Sequence, residues 1–404
     1  MRHCEATKPP PSKPALTLQE GLRQLANPPL QDSPPHWRKL CLQTRGGVNN
    51  LSYRELFNNI MHYGEFDRMP AIHWGGWGET CERWYGEGLP RDADQVAFFG
   101  ADYMPAGLPI NLGLLPAFEW KTLEETDSWA IVQQDDGVIA QHFKGKSSIP
   151  RYIDYTLKDR ASWEDFKARL QPDPARIAPN IDEVIEQLKA LDRPISVNTG
   201  SMVGFFRNWM GVENLAYICA DDPTLLPEMC DFYSDTICWV LDQVLPKIKV
   251  DLGWGWEDIC FRSGPLVSPK MFKQAAVPGY RKISDKLRAY GCDLHLIDCD
   301  GKIDDLVPLW LEGGVNVMFP IEIGVWNADP AAFRKQYGKE LRIIGGINKF
   351  VLGQGPEAID AELELRKPLM AEGGFIPLPD HLITPETPLD NVKYYIEAVR
   401  KMRF

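Results

Sequence analysis

Two aspartates flank a cysteine at the end of an apolar run, within the stretch GCDLHLIDCDG at residues 291–301. The run alternates with the period of two that is typical of a β-strand, which places Asp298 and Asp300 on one face and Cys299 on the other. Neighbouring carboxylates at the end of a buried strand are able to transfer protons or bind a divalent cation. The alternative is structural: Asp298 caps a loop, and Asp300 with Gly301 forms a turn.

Polar side chains also occur at the carboxyl ends of other predicted strands. If these strands form one parallel barrel, their carboxyl ends meet at a single rim, where barrel enzymes place their chemistry. We therefore treat the strand-end residues as one candidate constellation. They are His73, Asn198, Glu257, Asp258, Asp298, Cys299, Asp300, Glu322, Asn348, Lys349, Asp380 and His381.

This constellation has two chemical interpretations. In the first, a divalent metal such as zinc is bound by side-chain oxygen, nitrogen and sulfur atoms. The candidate ligands are Glu257, Asp298, Asp300 and His381, with Cys299 as a further option. In the second, no metal is bound, and a carboxylate whose pKa is tuned by neighbouring acids holds a cationic or NH-rich substrate.

The remaining roles divide between catalysis and substrate binding. The candidate catalytic residues are Glu257, Asp298, Asp380 and His381. The candidate substrate-binding residues are His73, Trp74, Trp77, Asn198, Trp256, Glu322 and Lys349. With Phe205 and Trp254, the tryptophans would form an aromatic mouth suited to a flat substrate. The alternative for the aromatic residues and for His73 is packing in the core.

Strand and helix patterns alternate through the second half of the chain at the spacing of βα units. The candidate strands cover residues 69–75, 108–114, 194–200, 250–258, 291–301, 314–319, 341–346 and 374–378. Eight such strands predict an α/β fold of the (β/α)8 TIM-barrel type over residues 51–404. A hairpin over 129–143 and helices at 162–170 and 181–191 predict an insertion near 115–190. Pro278 predicts a break in the helix over 269–290.

Composition narrows the functional classes. The formal net charge of -12 argues against a nucleic-acid binder, which needs a basic surface. No apolar run reaches the roughly 20 residues of a membrane helix, and we expect no secretory signal. The nine cysteines include no Cys-x-x-Cys pair, which predicts a reducing cytoplasm. Residues 1–50 are rich in proline and predict an arm on the body or on a partner subunit, with a disordered tail as the alternative.

Several short motifs, taken in their order and spacing, resemble the uroporphyrinogen decarboxylase superfamily. They are DRMP at 67–70, WYGEGLP at 84–90, DCDG at 298–301, YGK at 337–339, GGINK at 345–349 and the tail at 373–388. The resemblance covers about residue 50 to the end. It implies a single (β/α)8 barrel in a superfamily that contains porphyrinogen decarboxylases and cobamide-dependent methyltransferases.

The chain departs from both branches of that superfamily. The decarboxylases carry an arginine-rich segment after the first strand, whereas this chain has WGGWGE at 74–79. The zinc methyltransferases show His-x-Cys on the fifth strand and a cysteine on the eighth. By position these ligands become Asp298, Asp300 and His381, with Asp380 as the alternative for the last. The resemblance thus implies a ligand set in which oxygen replaces sulfur.

The resemblance and the aromatic mouth favour a corrinoid-linked methyltransferase. It would move a methyl group from a small donor, such as an aryl methyl ether, to a corrinoid carried by a partner protein, with zinc as a candidate cofactor. The alternative is a decarboxylase or related lyase that acts on a carboxylated pyrrole or another ring. A third hypothesis is a non-catalytic barrel that binds a tetrapyrrole or serves in an assembly. A homodimer is compatible with each hypothesis.

Overall fold

The computed structural model describes residues 51–144 and 150–404. Residues 1–50, where we predict the proline-rich arm, lie outside the described residues. The strands are β1 Ala106–Gly107, β2 Lys121–Glu125, β3 Trp129–Gln133, β4 Ile139–Phe143, β5 Arg151–Asp154, β6 Ile195–Gly200, β7 Leu252–Trp256, β8 Cys260–Phe261, β9 Gly264–Pro265, β10 His295–Asp298, β11 Val317–Phe319, β12 Arg342–Ile347 and β13 Phe375–Pro379.

Helices cover much of the remaining described chain. They are α1 Tyr53–Met61, α2 Gly78–Gly86, α3 Gln95–Phe99, α4 Arg160–Lys167, α5 Ile181–Lys189, α6 Gly204–Asp221, α7 Leu225–Val244, α8 Pro269–Ala289, α9 Val307–Glu312, α10 Ile323–Trp326, α11 Pro330–Tyr337, α12 Pro356–Glu372 and α13 Leu389–Lys401. Within 51–144 and 150–404, none combines the length and the apolar character needed to cross a bilayer.

A parallel sheet of seven strands forms the centre of the described fold, in the order β1-β6-β7-β10-β11-β12-β13. From β6 onward, helices connect each strand to its neighbour, as parallel pairing requires. The strands are buried apolar runs because neighbouring elements cover both faces of the sheet. This arrangement confirms the predicted α/β class and the alternation of strands with helices.

The segment at 69–77 lies between the two edges of this sheet. Isolated parallel bridges join Ile72 to Asp102, which precedes β1, and Gly76 to Ile383, which follows β13. Because one segment contacts both edges, the sheet is curled. Residues 69–75 therefore make bridges rather than the predicted first strand, and the described sheet has seven strands where eight were predicted.

The predicted second strand at 108–114 is also wrong. The strand here is β1, and it contains only Ala106 and Gly107. Prolines at positions 105 and 109 flank this strand, and proline cannot donate a backbone hydrogen bond to the ladder. The parallel pairing of β1 with β6 therefore stops after two residues.

An antiparallel sheet of four strands, β2-β3-β4-β5, is inserted between β1 and β6. It contains the predicted hairpin, since β3 pairs with β4 from Trp129 opposite Phe143 to Gln133 opposite Ile139. At the turn, the Asp136 side chain accepts a hydrogen bond of 3.0 Å from the Val138 N–H group. The hairpin prediction is thus confirmed.

The first helix begins with a capping box, in which Ser52 and Glu55 satisfy each other's backbone N–H groups. The predicted break at Pro278 does not occur, because α8 continues through this residue. Buried residues on both sides of Pro278, including Val277 and Tyr280, pack in the core and hold the helix together across the missing N–H group.

Replacement of Gly345 in β12 by alanine is expected to destabilise the fold strongly. Gly345 has a φ of +126°, and an added Cβ would lie 1.9 Å from the Pro320 carbonyl oxygen. The free energy of unfolding should fall by about 3 kcal/mol or more in denaturant titrations. Gly353→Ala is the control, since its Cβ would make only ordinary contacts; equal stability of the two variants would contradict the expectation.

Candidate active site

Strand register places aromatic side chains and one acid on the inner face of the sheet. In β10, Leu296 lies beside Trp254 of β7, and Asp298 lies beside Trp256. On the other side, Asp298 pairs with Phe319 of β11. Because residues paired in a parallel sheet point to the same face, Asp298 stands at the carboxyl end of β10 among aromatic neighbours.

Asp298 differs from the other acids of the rim because its carboxyl group has no hydrogen-bond or ion-pair partner among the described residues. The side chain is only partly exposed. Burial raises its pKa well above the ordinary value, and the negative charges of Asp300 and Asp258 raise it further. Asp298 therefore keeps its proton to a higher pH than a solvated aspartate does.

His381 and Asp300 form an ion pair next to Asp298. The His381 Nε2 atom lies 3.2 Å from an Asp300 carboxylate oxygen, while Nδ1 accepts a hydrogen bond from the Leu382 N–H group. The proton on the neutral ring therefore sits on Nε2. Burial lowers the pKa of His381, but the hydrogen bond and charge of Asp300 outweigh it, so the net pKa is raised. Trp77 stacks on the imidazole at 5.1 Å between ring centroids.

Lys349 forms ion pairs with two further acids of the rim, Glu322 and Asp380. Its Nζ atom lies 3.3 Å from a Glu322 oxygen and 3.7 Å from an Asp380 oxygen. Asp380 is fully buried and also accepts hydrogen bonds from the N–H groups of Ile323, Gly324 and Lys349. These donors occupy both oxygens of Asp380. The structure therefore places this predicted catalytic residue in the support of the rim, where it holds the start of α10.

Glu257, a predicted catalytic residue and metal ligand, has a comparable supporting position at the end of β7. It is fully buried, and its oxygens accept hydrogen bonds from the N–H groups of Met202, Val203 and Gly204 at 2.6–3.2 Å. The hydroxyl groups of Ser201 and Tyr280 donate to the same carboxylate. The carboxylate is thus occupied at the N-terminus of α6, where a negative charge is favoured, and we withdraw its proposed role as a ligand.

Two predicted substrate-binding residues lie in contrasting places. His73 is buried against Phe99, with ring centroids 4.8 Å apart, and its Nε2 atom contacts the Gln95 amide oxygen at 3.1 Å. Burial lowers the pKa of His73 to about 4. This corrects the prediction, because His73 is a core residue. Asn198 is exposed beside Trp254 on the inner face, where it stays a candidate.

Other predicted binding residues surround Asp298. Trp74 packs edge-on against Phe319 at 4.8 Å, and its indole N–H donates to the His381 carbonyl group. Trp254 contacts the same phenylalanine at 5.3 Å between centroids. Glu322 is mostly buried; burial and then the charge of Asp300 raise its pKa. Aromatic side chains thus line the inner face near the strand ends, and acidic side chains follow them in the loops after the strands.

The predicted zinc ligands do not fit a metal ion. Among the described residues, no three histidine, cysteine, aspartate or glutamate side chains form a group that could hold one. Glu257 is occupied by other donors, and Asp300 with His381 is the one ion pair among the predicted ligands in the described part of the chain. The Cys299 thiol is buried, donates to the Asp300 carbonyl group, and has a pKa raised mainly by burial. We therefore assign no catalytic step to a metal.

Arg207 was not among the predicted site residues, whereas Asp258 was predicted in the constellation without a specific role. Arg207 donates to the Asp258 carbonyl group at 2.7 Å and lies over the Trp256 ring. Asp258 has a φ of +53°, and Ile321, next to Glu322, has a φ of +55°. Strained backbone of this kind clusters at functional sites. The sequence offered one signal for Arg207: it is a basic residue in the first helical turn after a strand end, where barrel enzymes place site residues.

Asp298→Asn is expected to stabilise the folded protein at neutral and alkaline pH. The folded pKa of Asp298 is raised, so the wild type loses stability as pH rises from the unfolded pKa of about 4 through the folded value. The amide removes this loss, and the variant should gain about 1 kcal/mol or more at about pH 8 and little at about pH 4. Denaturant titrations at both pH values test this, with the exposed Asp304→Asn as control. A variant less stable than wild type at the higher pH would contradict the assignment.

Glu257→Gln is expected to destabilise the fold. The amide NH2 group cannot accept from the N–H groups that Glu257 satisfies, so buried donors lose their partner. We expect a loss of about 3 kcal/mol or more in the free energy of unfolding. Glu213→Gln on the exposed face of α6 is the matched control. A Glu257 variant with wild-type stability would show that the carboxylate does not hold the helix.

Comparison with known proteins identifies the family of this chain. The uroporphyrinogen decarboxylase (URO-D) family model matches residues 144–402. A uroporphyrinogen decarboxylase from Picosynechococcus sp. is 22% identical over 208 residues, which cover 49% of this chain and 53% of that protein. The match thus spans about half the length of that relative.

A solved structure shows the same fold. It is a methyltransferase from Methanosarcina mazei, which superposes with a TM-score of 0.58 at 14% sequence identity. The match covers 86% of this chain and 98% of the methyltransferase. The family match extends over well more than half of the sequence, and it includes β6 through β13 and the rim residues from Asn198 to His381. The chain therefore belongs to the uroporphyrinogen decarboxylase family.

Proposed function

We propose that this protein is a methyltransferase that cleaves an aryl methyl ether, with Asp298 as the proton donor. The observation that carries the proposal is the carboxyl group of Asp298 at the carboxyl end of β10, which has no partner within residues 51–144 and 150–404. Burial and neighbouring acids raise its pKa, as a general acid requires near neutral pH. The methyltransferase structure with the same fold supports this branch of the family.

The walls around Asp298 favour a flat substrate. Trp254 and Trp74 both contact Phe319, with interplanar angles of 60° and 86°. Trp256 stands beside Asp298 in register. Rigid aromatic walls of this kind accept an aromatic ring through stacking and edge contacts, while a few polar groups fix its orientation.

The chemistry requires one proton from the protein. The bond between the methyl carbon and the ether oxygen breaks, and the methyl group passes to a nucleophile. The departing phenolate takes the Asp298 proton and leaves as a phenol, after which Asp298 regains a proton from water. A reduced corrinoid on a partner protein would supply the nucleophile when bound. The negative charges of Asp300 and Asp258 support the reaction, because they raise the pKa of Asp298 and keep it protonated.

Decarboxylation of a small ring is the second candidate. Asp298 could also protonate a ring carbon as carbon dioxide departs, and the curated relative is a uroporphyrinogen decarboxylase. A substrate with many carboxylates does not suit this rim, because two acids hold Lys349 and the segment at 74–79 contains no arginine. The candidate is therefore restricted to a ring with few carboxylates.

Asp298→Asn should lower methyl transfer by about 100-fold or more, since an amide cannot donate the required proton. The assay combines purified full-length protein, a panel of methoxyaromatic compounds and free cob(I)alamin, and follows phenol release and the cobalt spectrum. Asp304→Asn is the matched control and should match wild type.

Three results of this assay decide between the hypotheses. Phenol release that depends on Asp298 supports the proposal. An Asp298 variant with wild-type turnover contradicts the role of this residue. Release of carbon dioxide from carboxylated rings, without phenol formation from any ether, favours the lyase.

A further inference from the structure

Arg207 lies after the carboxyl end of β6, whereas His381 follows β13 near the other edge of the sheet. It lies in the first turns of α6, and its guanidinium carbon is 5.5 Å from the centroid of the Trp256 ring. Trp256 is the register neighbour of Asp298 on the inner face. The guanidinium is therefore separated from the Asp298 carboxyl group by about one aromatic side chain.

The guanidinium has unused hydrogen-bonding capacity. One terminal nitrogen donates to the Asp258 carbonyl group at 2.7 Å, whereas the Asp258 carboxylate lies 3.6 Å away, which is too long for a hydrogen bond. The Nε atom of Arg207 is buried and out of reach of a ligand. The other terminal nitrogen of this partly exposed side chain has no acceptor within the described part of the chain, although Asp258 remains in ion-pair range. Lys349, by contrast, lies between two carboxylates. Arg207 therefore keeps terminal N–H donors that a ligand can reach.

We infer that Arg207 determines substrate specificity by binding a carboxylate at one end of an aromatic substrate whose methyl ether lies at Asp298. A planar guanidinium binds a carboxylate through two parallel hydrogen bonds, which a neutral amide or alcohol cannot match. The cation–π contact with Trp256 holds the Arg207 guanidinium beside the aromatic wall, so a substrate ring that packs along this wall reaches both Arg207 and Asp298. The inference rests on the proposed function, because it names the substrate class for the same site.

Binding measurements test this without relying on turnover. Wild type is titrated calorimetrically with meta-methoxybenzoate and with the matching neutral meta-methoxybenzamide. We expect the carboxylate probe to bind about tenfold more tightly or better. Arg207→Gln should abolish this preference, and Arg207→Lys, which keeps the charge without the planar fork, should retain a weaker one. Arg262→Gln, on the exposed β8–β9 hairpin, is the control and should keep the full preference.

Each outcome decides the inference. Equal affinity for both probes in wild type, no binding of either probe, or an unchanged preference in the folded Arg207 variants would overturn it. If Arg207→Gln does not fold, the two wild-type titrations and Arg207→Lys still give the answer. A carboxylate preference without methyl transfer would retain the carboxylate-binding role of Arg207 and reject the proposed function. Methyl transfer from ethers without any such preference would reject only the role of Arg207.

Discussion

The parallel register between β10 and its two neighbours is the constraint on which the site depends. It sets Asp298 between Trp256 and Phe319 on the inner face, two residues after Leu296 and on the same side of β10. A shift of one residue would turn Asp298 toward the surrounding helices and bring the Cys299 side of the strand inward. The helices that cover the outer face oppose such a shift, because that face carries apolar residues such as Ile297.

The acids at the rim divide according to the donors around them. Glu257 and Asp380 are fully buried, and both lie where backbone N–H groups converge at the start of a helix. Among the residues that the structure describes, none donates a hydrogen bond to Asp298 or pairs with it as a cation, whereas Asp300 forms an ion pair with His381. The satisfied carboxylates build the rim, and the unsatisfied one is available for chemistry. The physical reason is that a buried charged carboxylate without a hydrogen-bond partner costs free energy, so an acid without donors favours its protonated form.

Sequence patterns predicted much of the fold because apolar periodicity and turn residues act locally. The strands β6, β7 and β10 to β13 and the hairpin at Asp136 follow from such signals, whereas the short strands β8 and β9 were not predicted. The sequence could not separate Glu257 from Asp298, since each is an acid at the end of an apolar run. Only the three-dimensional arrangement shows that helix α6 begins against one and not the other. His73 presented the same difficulty, because its partner Gln95 lies on a separate helix.

The central claim is that the Asp298 carboxyl group holds its proton above the usual pH range of aspartate. Carbon-13 NMR of protein labelled at the aspartate carboxyl carbons measures this directly, with Asp298→Asn to assign the signal. The account predicts a resonance, missing in the variant, that titrates well above the ordinary value of about 3.9. An Asp298 signal that titrates at or below that value would contradict the account.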